Sequence, residues 1–541
     1  MKKAITLLSV LLGFACGDDS SGATDTGPLV DSAAPDAGGA LVDASATDAV
    51  SADVPSDVRT DASAVDAGPA AVGRVALRVV ADRGAAASHR GAVPFPPGLL
   101  TDVALLRLVD EAGDEVVVDT SILATWPRDG SVRSVLLGFD ADLSVGAEAS
   151  FELQYGMAAS TPGAAAVYAR DPQSVVIVDG EWLSASRASG PLVSEASNAR
   201  FPDFDSQVTR YLENMSPPFE EYGVSCRGTS AHRTYYDSPH TTWIYYQRAA
   251  GVERYRRAEA ESQWYRDNEL EWVGGRDMAV QVCQGSDWSP DDKIDWGVIR
   301  RMTGQGMLDD YLLTGNPDAR EAVVAMGEAF IRSIPAQLGG RENSLRVTER
   351  NLAWTLMGVA AYYAVRPEPE VRAGLDVLLE EAVSWQAAGT SGAFEHDIVR
   401  PDPDECSDGP AGASPFMTSL LVDGLMDAHM LIDDPRIAAV VEGVATWFRD
   451  DAVTPGGDAF RYLWGCASNG YEDTSSELNN LIVHVFGAAA WVSDDAAWLD
   501  AGDTFADAGL EALYGGRPKQ WNQTVRGFSR YLGYRAALRA P

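Results

Sequence analysis

Lysine is nearly missing from this chain of 541 residues: it occurs only at Lys2, Lys3, Lys293 and Lys519, so the basic residues are overwhelmingly arginine. Cations of any kind are scarce, 42 Lys and Arg against 79 Asp and Glu, for a formal net charge of -37. Such an excess of negative charge repels phosphate backbones and anionic headgroups, which excludes nucleic acid and an anionic membrane surface as natural partners. Long apolar runs are also absent: past the N-terminus no stretch is long and apolar enough to cross a bilayer. Five cysteines and six histidines show no zinc-site spacing. No cofactor is identified; calcium stays open, but no loop of recognised spacing supports it.

The N-terminus has a strong pattern. Lys2 and Lys3 precede an apolar stretch, Ile5 to Phe14, and Ala15-Cys16-Gly17 follows. A positive segment, a short apolar segment and a small residue before a lone cysteine look like a bacterial lipoprotein signal over 1–16, with lipidation of Cys16. An ordinary secretory signal cut nearby is the alternative. Residues 17–73 are rich in Asp and Ala, without an aromatic side chain. With so little to bury, this segment cannot offset its ordering entropy and reads as a disordered tether. The expected location is therefore outside the cytoplasm, as an outer-membrane or cell-surface lipoprotein anchored by its lipid, and the expected state is a monomer. Setting Cys16 aside leaves Cys226, Cys283, Cys406 and Cys466, an even number in an oxidising compartment. Three disulfide pairings are open; Cys226 with Cys283 and Cys406 with Cys466 would each staple neighbouring loops.

Residues 74–160 read as a small β domain, barrel or sandwich. Val75, Leu77 and Val79 alternate with polar positions; Val116 to Val118, Ser134 to Phe139 and Ser150 to Tyr155 are further strand-like runs. Turns fall at Glu111-Ala112-Gly113-Asp114 and Arg128-Asp129-Gly130. A mixed connecting segment follows over 161–235, with a strand at Ser174 to Val178 and a short helix at Asp203 to Met215. From 236 onward helix signals come in pairs: 238–250 with 252–268, 295–314 with 317–335, 347–365 with 369–388, 415–432 with 435–449, 475–492 with 496–513, then 519–538. Ser238-Pro239, Asn316-Pro317, Ser414-Pro415 and Asp434-Pro435 mark starts, and Thr474 with Glu477 forms a capping box. Connections within pairs are short and between pairs mostly long. The expected fold is multidomain α and β: the β domain followed by an (α/α) toroid of five to six helical hairpins over 236–541, an open solenoid being the alternative.

Gly91-Ala92-Val93-Pro94-Phe95-Pro96-Pro97-Gly98, Leu106-Arg107-Leu108-Val109-Asp110 and Thr125-Trp126-Pro127-Arg128-Asp129-Gly130-Ser131-Val132-Arg133 resemble the N-terminal β module of the exo-rhamnogalacturonan lyase and YetA-like group. That resemblance covers about 85 residues and implies a carbohydrate enzyme with a helical toroid behind the module. The helical part is similar, more weakly, to the helical catalytic domains of polysaccharide lyases and of glycosidases with the same architecture, through Tyr236-Asp237-Ser238-Pro239 and the Tyr311 to Asp318 segment.

In a toroid the first helix of each pair lines the axis, and its N-terminal end meets the long loops, which are expected to carry the chemistry. His240, His396 and Tyr236 are the acid/base candidates there; Arg300, Arg350 and Asn351 are the groups to neutralise a uronic carboxylate. Trp296, Trp354, Trp464, Tyr471, Asn469, Arg233 and Trp521 are the expected sugar contacts, aromatic faces for ring faces and polar ends for hydroxyls. Glu395, Asp397, Glu472 and Asp473 are the acids that hydrolysis would need instead. Each has a plainer reading: Trp354 as core, Glu477 as a cap, His240 as a loop contact, Arg346 and Arg350 as ion-pair partners of Glu349 or of a neighbouring helix. Three functions stay open: a polysaccharide lyase acting by β-elimination on a uronic-acid glycan, a glycoside hydrolase on the same scaffold, and a surface glycan-binding lipoprotein without chemistry.

Overall fold

Val75, Leu77 and Val79 point into a shared apolar core, which fixes the inward face of β1 (Gly73–Val80) and the sheet around it. The computed structural model describes residues 73–215, 234–273, 277–279, 302–339, 345–398, 411–466, 476–513 and 516–539, all within one unit, Gly68–Pro541. The signal, Cys16, nearly all of the tether, Cys226, Cys283 and Cys406 lie outside the described residues.

The other strands of the N-terminal region are β2 (Ala86–Pro94), β3 (Leu106–Asp110), β4 (Glu115–Val116), β5 (Val118–Thr125), β6 (Val132–Leu143), β7 (Glu148–Tyr155) and β8 (Val175–Val178). They form two antiparallel sheets, ordered β4-β3-β7-β1-β8 and β2-β6-β5. Strand β8 belongs to the first sheet although it falls in the segment read as a connector. The turn at Arg128 to Gly130 joins β5 to β6, with Gly130 at φ 74, a left-handed value that glycine adopts without strain. The first eight residues of β6 are all buried, so they show no period-2 pattern. One face of β6 meets the other sheet and the other meets a helix.

The remaining elements are α1 (Gly180–Ser186), α2 (Pro202–Asn214), α3 (Ser238–Ala249), α4 (Val252–Glu269), a short pair β9 (Glu271–Val273) and β10 (Asp277–Ala279), α5 (Gln305–Thr314), α6 (Pro317–Gly339), α7 (Glu349–Val365), α8 (Pro369–Ala388), α9 (Pro415–Leu431), α10 (Pro435–Asp450), α11 (Asn479–Ile482), α12 (His484–Ser493), α13 (Ala497–Glu511) and α14 (Pro518–Leu538). Proline in the first turn starts α3, α8, α9, α10 and α14, as its fixed φ and missing N–H allow. At α3 the cap is Asp237 rather than the expected Ser238. The Asp237 carboxylate accepts from the His240 backbone N–H at 3.1 Å, and both Tyr236 and Asp237 adopt left-handed φ. The expected helix over 475–492 is broken into a 3₁₀ turn, α11 and α12.

Burial sorts the helices into two kinds. Nearly every residue of α3, α5, α7 and α9, and most of α11, α12 and α14, is buried all round. In α10 the buried set is a stripe, Ile437, Val440, Val441, Val444, Trp447 and Phe448, and α8 and α13 are one-sided in the same way. The all-round buried helices contact one another in succession: α3 with α5, α5 with α7, α7 with α9, α9 with α11 and α12, both of these with α14, and α14 with α3. The one-sided helices flank them. Helix α2 packs against α14 through Phe204 stacked on Phe528 at 4.5 Å, and the Trp521 indole donates to the Val208 carbonyl at 3.1 Å.

Polar groups buried among these helices meet near the middle of α9 and α14. Asp423 forms ion pairs with Arg526 at 2.7 Å and Arg530 at 2.9 Å, and Asp427 pairs with Arg530 at 3.0 Å. Arg526 also bonds Gln305, which bonds Asp427. Removing one partner of a buried pair leaves an uncompensated charge, which costs ~3–5 kcal/mol. Asp423→Asn should therefore lower unfolding stability by about that much in urea titrations; an unchanged midpoint would show that the network does not hold the helices together.

Candidate functional site

Contacts between chain segments bring the N-terminal ends of α3, α7, α9, α11 and α14 together. Tyr235, just before α3, accepts a hydrogen bond on its hydroxyl from Arg350 Nη1 at 2.8 Å, at the start of α7. Lys519, in the first turn of α14, lies 5.2 Å from the Tyr235 ring centroid. Asn522 donates to the Tyr235 carbonyl at 2.9 Å and accepts from the Thr241 hydroxyl at 2.9 Å. Gln523 donates to Glu477, beside α11, at 3.2 Å. Glu349 accepts the Ser414 backbone N–H at 2.8 Å and faces His396 Nδ1 at 3.4 Å.

Burial dominates the protonation of two carboxyls here. It pushes the Glu477 carboxyl up to about 7, against the opposing pull of Lys519, and it raises Glu349 against the opposing pull of His396. A carboxyl that is part protonated near neutral pH can donate a proton. Glu477 read as a helix cap in the sequence; its partner in that motif, Thr474, lies outside the described residues.

Several expected site residues sit elsewhere. His240 does not reach this end. Its Nε2 is 3.4 Å from Arg530 and its Nδ1 is 2.6 Å from Asp309 Oδ2, so the neutral ring accepts from Arg530 and donates to Asp309. Burial, reinforced by Arg526 and Arg530, pushes the His240 ring down to about 3. It is locked inside the helices and has no nitrogen left for substrate. The Tyr236 ring is buried in the core and packs edge-on against Tyr235, so the half-buried Tyr235 takes the place expected of Tyr236. Asn351 is fully buried beside Thr348. Trp354 and Trp521 are each 1% exposed, Trp354 beneath the Arg526 guanidinium, so neither indole offers a face to a sugar. Trp464 is half-buried and edge-on to Trp447 at 5.9 Å. The Glu395 carboxylate accepts from Thr390 N and Oγ at 2.8 and 2.9 Å and ties its own loop, while Asp397 is exposed. Arg346 pairs with Glu381 of the neighbouring helix α8, as its plainer reading allowed. Cys466 is buried and is not a free thiol. Arg233, Trp296, Arg300, Asn469, Tyr471, Glu472 and Asp473 lie outside the described residues.

Sequence reasoning missed the buried network of Asp309, Asp423, Asp427, Arg526 and Arg530. A signal existed: Asp423 with Asp427, and Arg526 with Arg530, are like-charge pairs four apart, an arrangement tolerated only where opposite charges face it. Among the described residues no group of three or more His, Cys, Asp or Glu could hold a metal ion.

His484 borders the same network, and burial pushes its ring down to about 4, with Asp423 opposing. A histidine whose folded value is depressed favours folding above its ordinary value of 6.5, and that contribution is lost as pH falls toward about 4. The stability of the wild type relative to His484→Gln should therefore shrink between pH 7 and 4, by up to ~3 kcal/mol. Urea midpoints of the two proteins across that range check it; parallel curves would mean the ring titrates normally. No protein-family model, no curated protein and no solved structure matches this chain.

Proposed function

We propose that this protein is a carbohydrate-active enzyme of polysaccharide lyase type, acting by β-elimination on a uronic-acid glycan. Its helical part is read as an (α/α) toroid of six hairpins, a reading supported by the succession of neighbours that runs from α3 through α14 and back to α3. Helix α2 then supplies the outer partner of α14. The exported, lipid-anchored state rests on the sequence around Cys16 and belongs to the same proposal, as does the resemblance to the exo-rhamnogalacturonan lyase and YetA-like group.

The observation that carries the reading is the hydrogen bond from Arg350 to Tyr235, with Lys519 over the same ring. β-Elimination needs a positive group on the uronic carboxylate, so that the neighbouring C–H becomes acidic, and a proton acceptor beside it. Arg350 and Lys519 supply the charge. Tyr235, as the phenolate that these two cations stabilise, takes the proton; the electron pair left behind expels the glycosidic oxygen, which a donor must protonate. Glu477 is the group on this end suited to that donation. A glycoside hydrolase is the second reading, favoured by Glu477 alone: a carboxyl raised to about 7 is what a general acid for glycosidic cleavage requires.

Incubating the full chain with uronic-acid polysaccharides separates the readings. The lyase releases products with the ultraviolet absorbance of an unsaturated uronate; reducing ends without it mean hydrolysis; saturable retention without turnover means binding alone. Tyr235→Phe and Arg350→Gln should each lower kcat/KM by ~10²–10⁴-fold with circular dichroism unchanged. With Glu477 as proton donor, the wild-type rate falls as pH rises above about 7, and Glu477→Gln loses that limb. A full rate in Tyr235→Phe would sink the assignment.

A further inference from the structure

A cavity lies at the other end of the buried helices, against the sheet region. It has a volume of about 260 Å³ and is bordered by Trp126, Arg128 and Asp129 from the β5–β6 turn, Arg187 just after α1, His429 near the end of α9 and Trp491 of α12. Arg187 and Met430 also border a deeper recess of about 30 Å³, which reaches Arg133, Asp309, Asp427 and Arg530. From Phe416 to His429 along α9 the rise is ~20 Å, so this cavity is well separated from Tyr235 and Arg350.

Arg128 pairs with Asp433 at 2.6 Å, but two neighbouring cations are underused. Arg187 holds left-handed backbone geometry, φ 60, and its guanidinium lies 4.8 Å from the Trp491 ring centroid. It has no carboxylate partner among the described residues, and burial alone lowers its basicity. Arg133 is only 6% exposed. One nitrogen donates to the Ala188 carbonyl at 2.9 Å and the guanidinium lies 4.4 Å over Trp126, while its Nε and Nη1 have no hydrogen-bond partner among the described residues. Burial brings it down to about 10, so it stays charged at neutral pH. A buried guanidinium with unmet donors beside a cavity is costly unless an anion completes it.

We propose that this cavity binds a single acidic sugar, a uronate whose carboxylate reaches Arg187 and Arg133 while its ring fills the wider part beside Trp491. The planar fork of arginine matches a planar carboxylate bidentately. Asp309 and Asp427 line the recess, which penalises a second negative charge and so favours a carboxylate over a phosphate dianion. A volume just under the ~300 Å³ where drug-sized pockets begin has room for one ring and not for a chain. Trp491, with the polar ends of Arg128, Asp129 and His429, suits the two kinds of surface on a pyranose. The anion site stands on its own geometry; the choice of a uronate among monocarboxylates rests on the proposed substrate class.

Calorimetric titration of the full chain with galacturonate and glucuronate tests this, with galactose and inorganic phosphate as control ligands. Saturable uronate binding should weaken at least tenfold in Arg187→Gln, recover in part in Arg187→Lys, and persist in Arg350→Gln. Arg187→Gln should keep its turnover of polymer. No uronate binding, equal binding of galactose or phosphate, or equal affinity in Arg187→Gln overturns the proposal. Binding lost in Arg350→Gln but kept in Arg187→Gln would put the uronate at the Tyr235 end, which overturns this site and leaves the lyase reading intact. Arg187-dependent binding in a protein without turnover sinks the lyase reading alone.

Discussion

Two guanidinium groups, Arg526 and Arg530, are each 1% exposed and must be neutralised with almost no help from solvent. Both leave α14 on one face, one turn apart, and both end on Asp423 of α9. Burying charge is tolerable only with close, well-placed partners, so this set admits little sliding of α9 against α14. Gln305 extends the network to α5, and His240 extends it to α3 through Asp309 and Arg530. Four of the buried helices thus share one polar centre. Apolar packing alone would fix their register less sharply, because small apolar side chains such as Ala488, Ala489 and Ala490 in α12 offer several similar ways to nest.

That register has consequences at both ends. At one end it brings Tyr235, Arg350, Lys519, Gln523 and Glu477 from four different segments into one cluster. Helix N-termini carry partial positive charge and unmet N–H groups, so several of them together favour an anion, in keeping with the proposed uronate substrate. At the other end the sheet region is bonded to the helices. Ser134 donates to the Leu312 carbonyl at 2.6 Å and Tyr311 donates to the Leu123 carbonyl at 2.7 Å, so carbonyls near the end of α5 and in β5 are satisfied by the neighbouring element. The sheets therefore act as a lid on carbonyl-rich helix ends, and the cavity beside Arg187 lies along their seam.

Much of the fold was legible because its signals are local. Proline after a capping residue fixed the starts of α3, α9 and α10 to within a residue or two, and the long apolar helices declared themselves by composition. The break between α11 and α12 was not legible, since the apolar stripe of Leu478, Leu481, Ile482 and Val485 reads equally well through it. Strand β6 hid its period because both its faces are covered. The site was legible only as a region. Tyr235 and Tyr236 are neighbours of the same kind, and only the left-handed backbone at Tyr236 and Asp237 decides which ring turns inward. His240 looked catalytic because histidine often is; that Asp309 and Arg530 would hold both its nitrogens depends on residues about 70 and 290 positions away in sequence. Trp354 and Trp521 could have been platforms by type, but each lies on a helix buried all round.

The chain's net charge of -37, taken as a whole, opposes a polyuronate substrate. Two facts resolve this. Charges farther than a Debye length, ~8–10 Å at physiological salt, are largely screened, so most of the carboxylates spread over a chain this long do not act on a bound sugar. Locally the sign is reversed. Lysine is all but absent, yet one of its four copies, Lys519, stands beside Tyr235 with Arg350 on the same hydroxyl. Arginine elsewhere is mostly consumed by nearby carboxylates, as at Arg254 with Glu195, Arg256 with Asp82 and Arg436 with Asp434. A background rich in acid therefore ties up stray cations in ion pairs, whereas among the described residues Arg187 has no carboxylate partner and two nitrogens of Arg133 have no hydrogen-bond partner, which suits both to the proposed carboxylate.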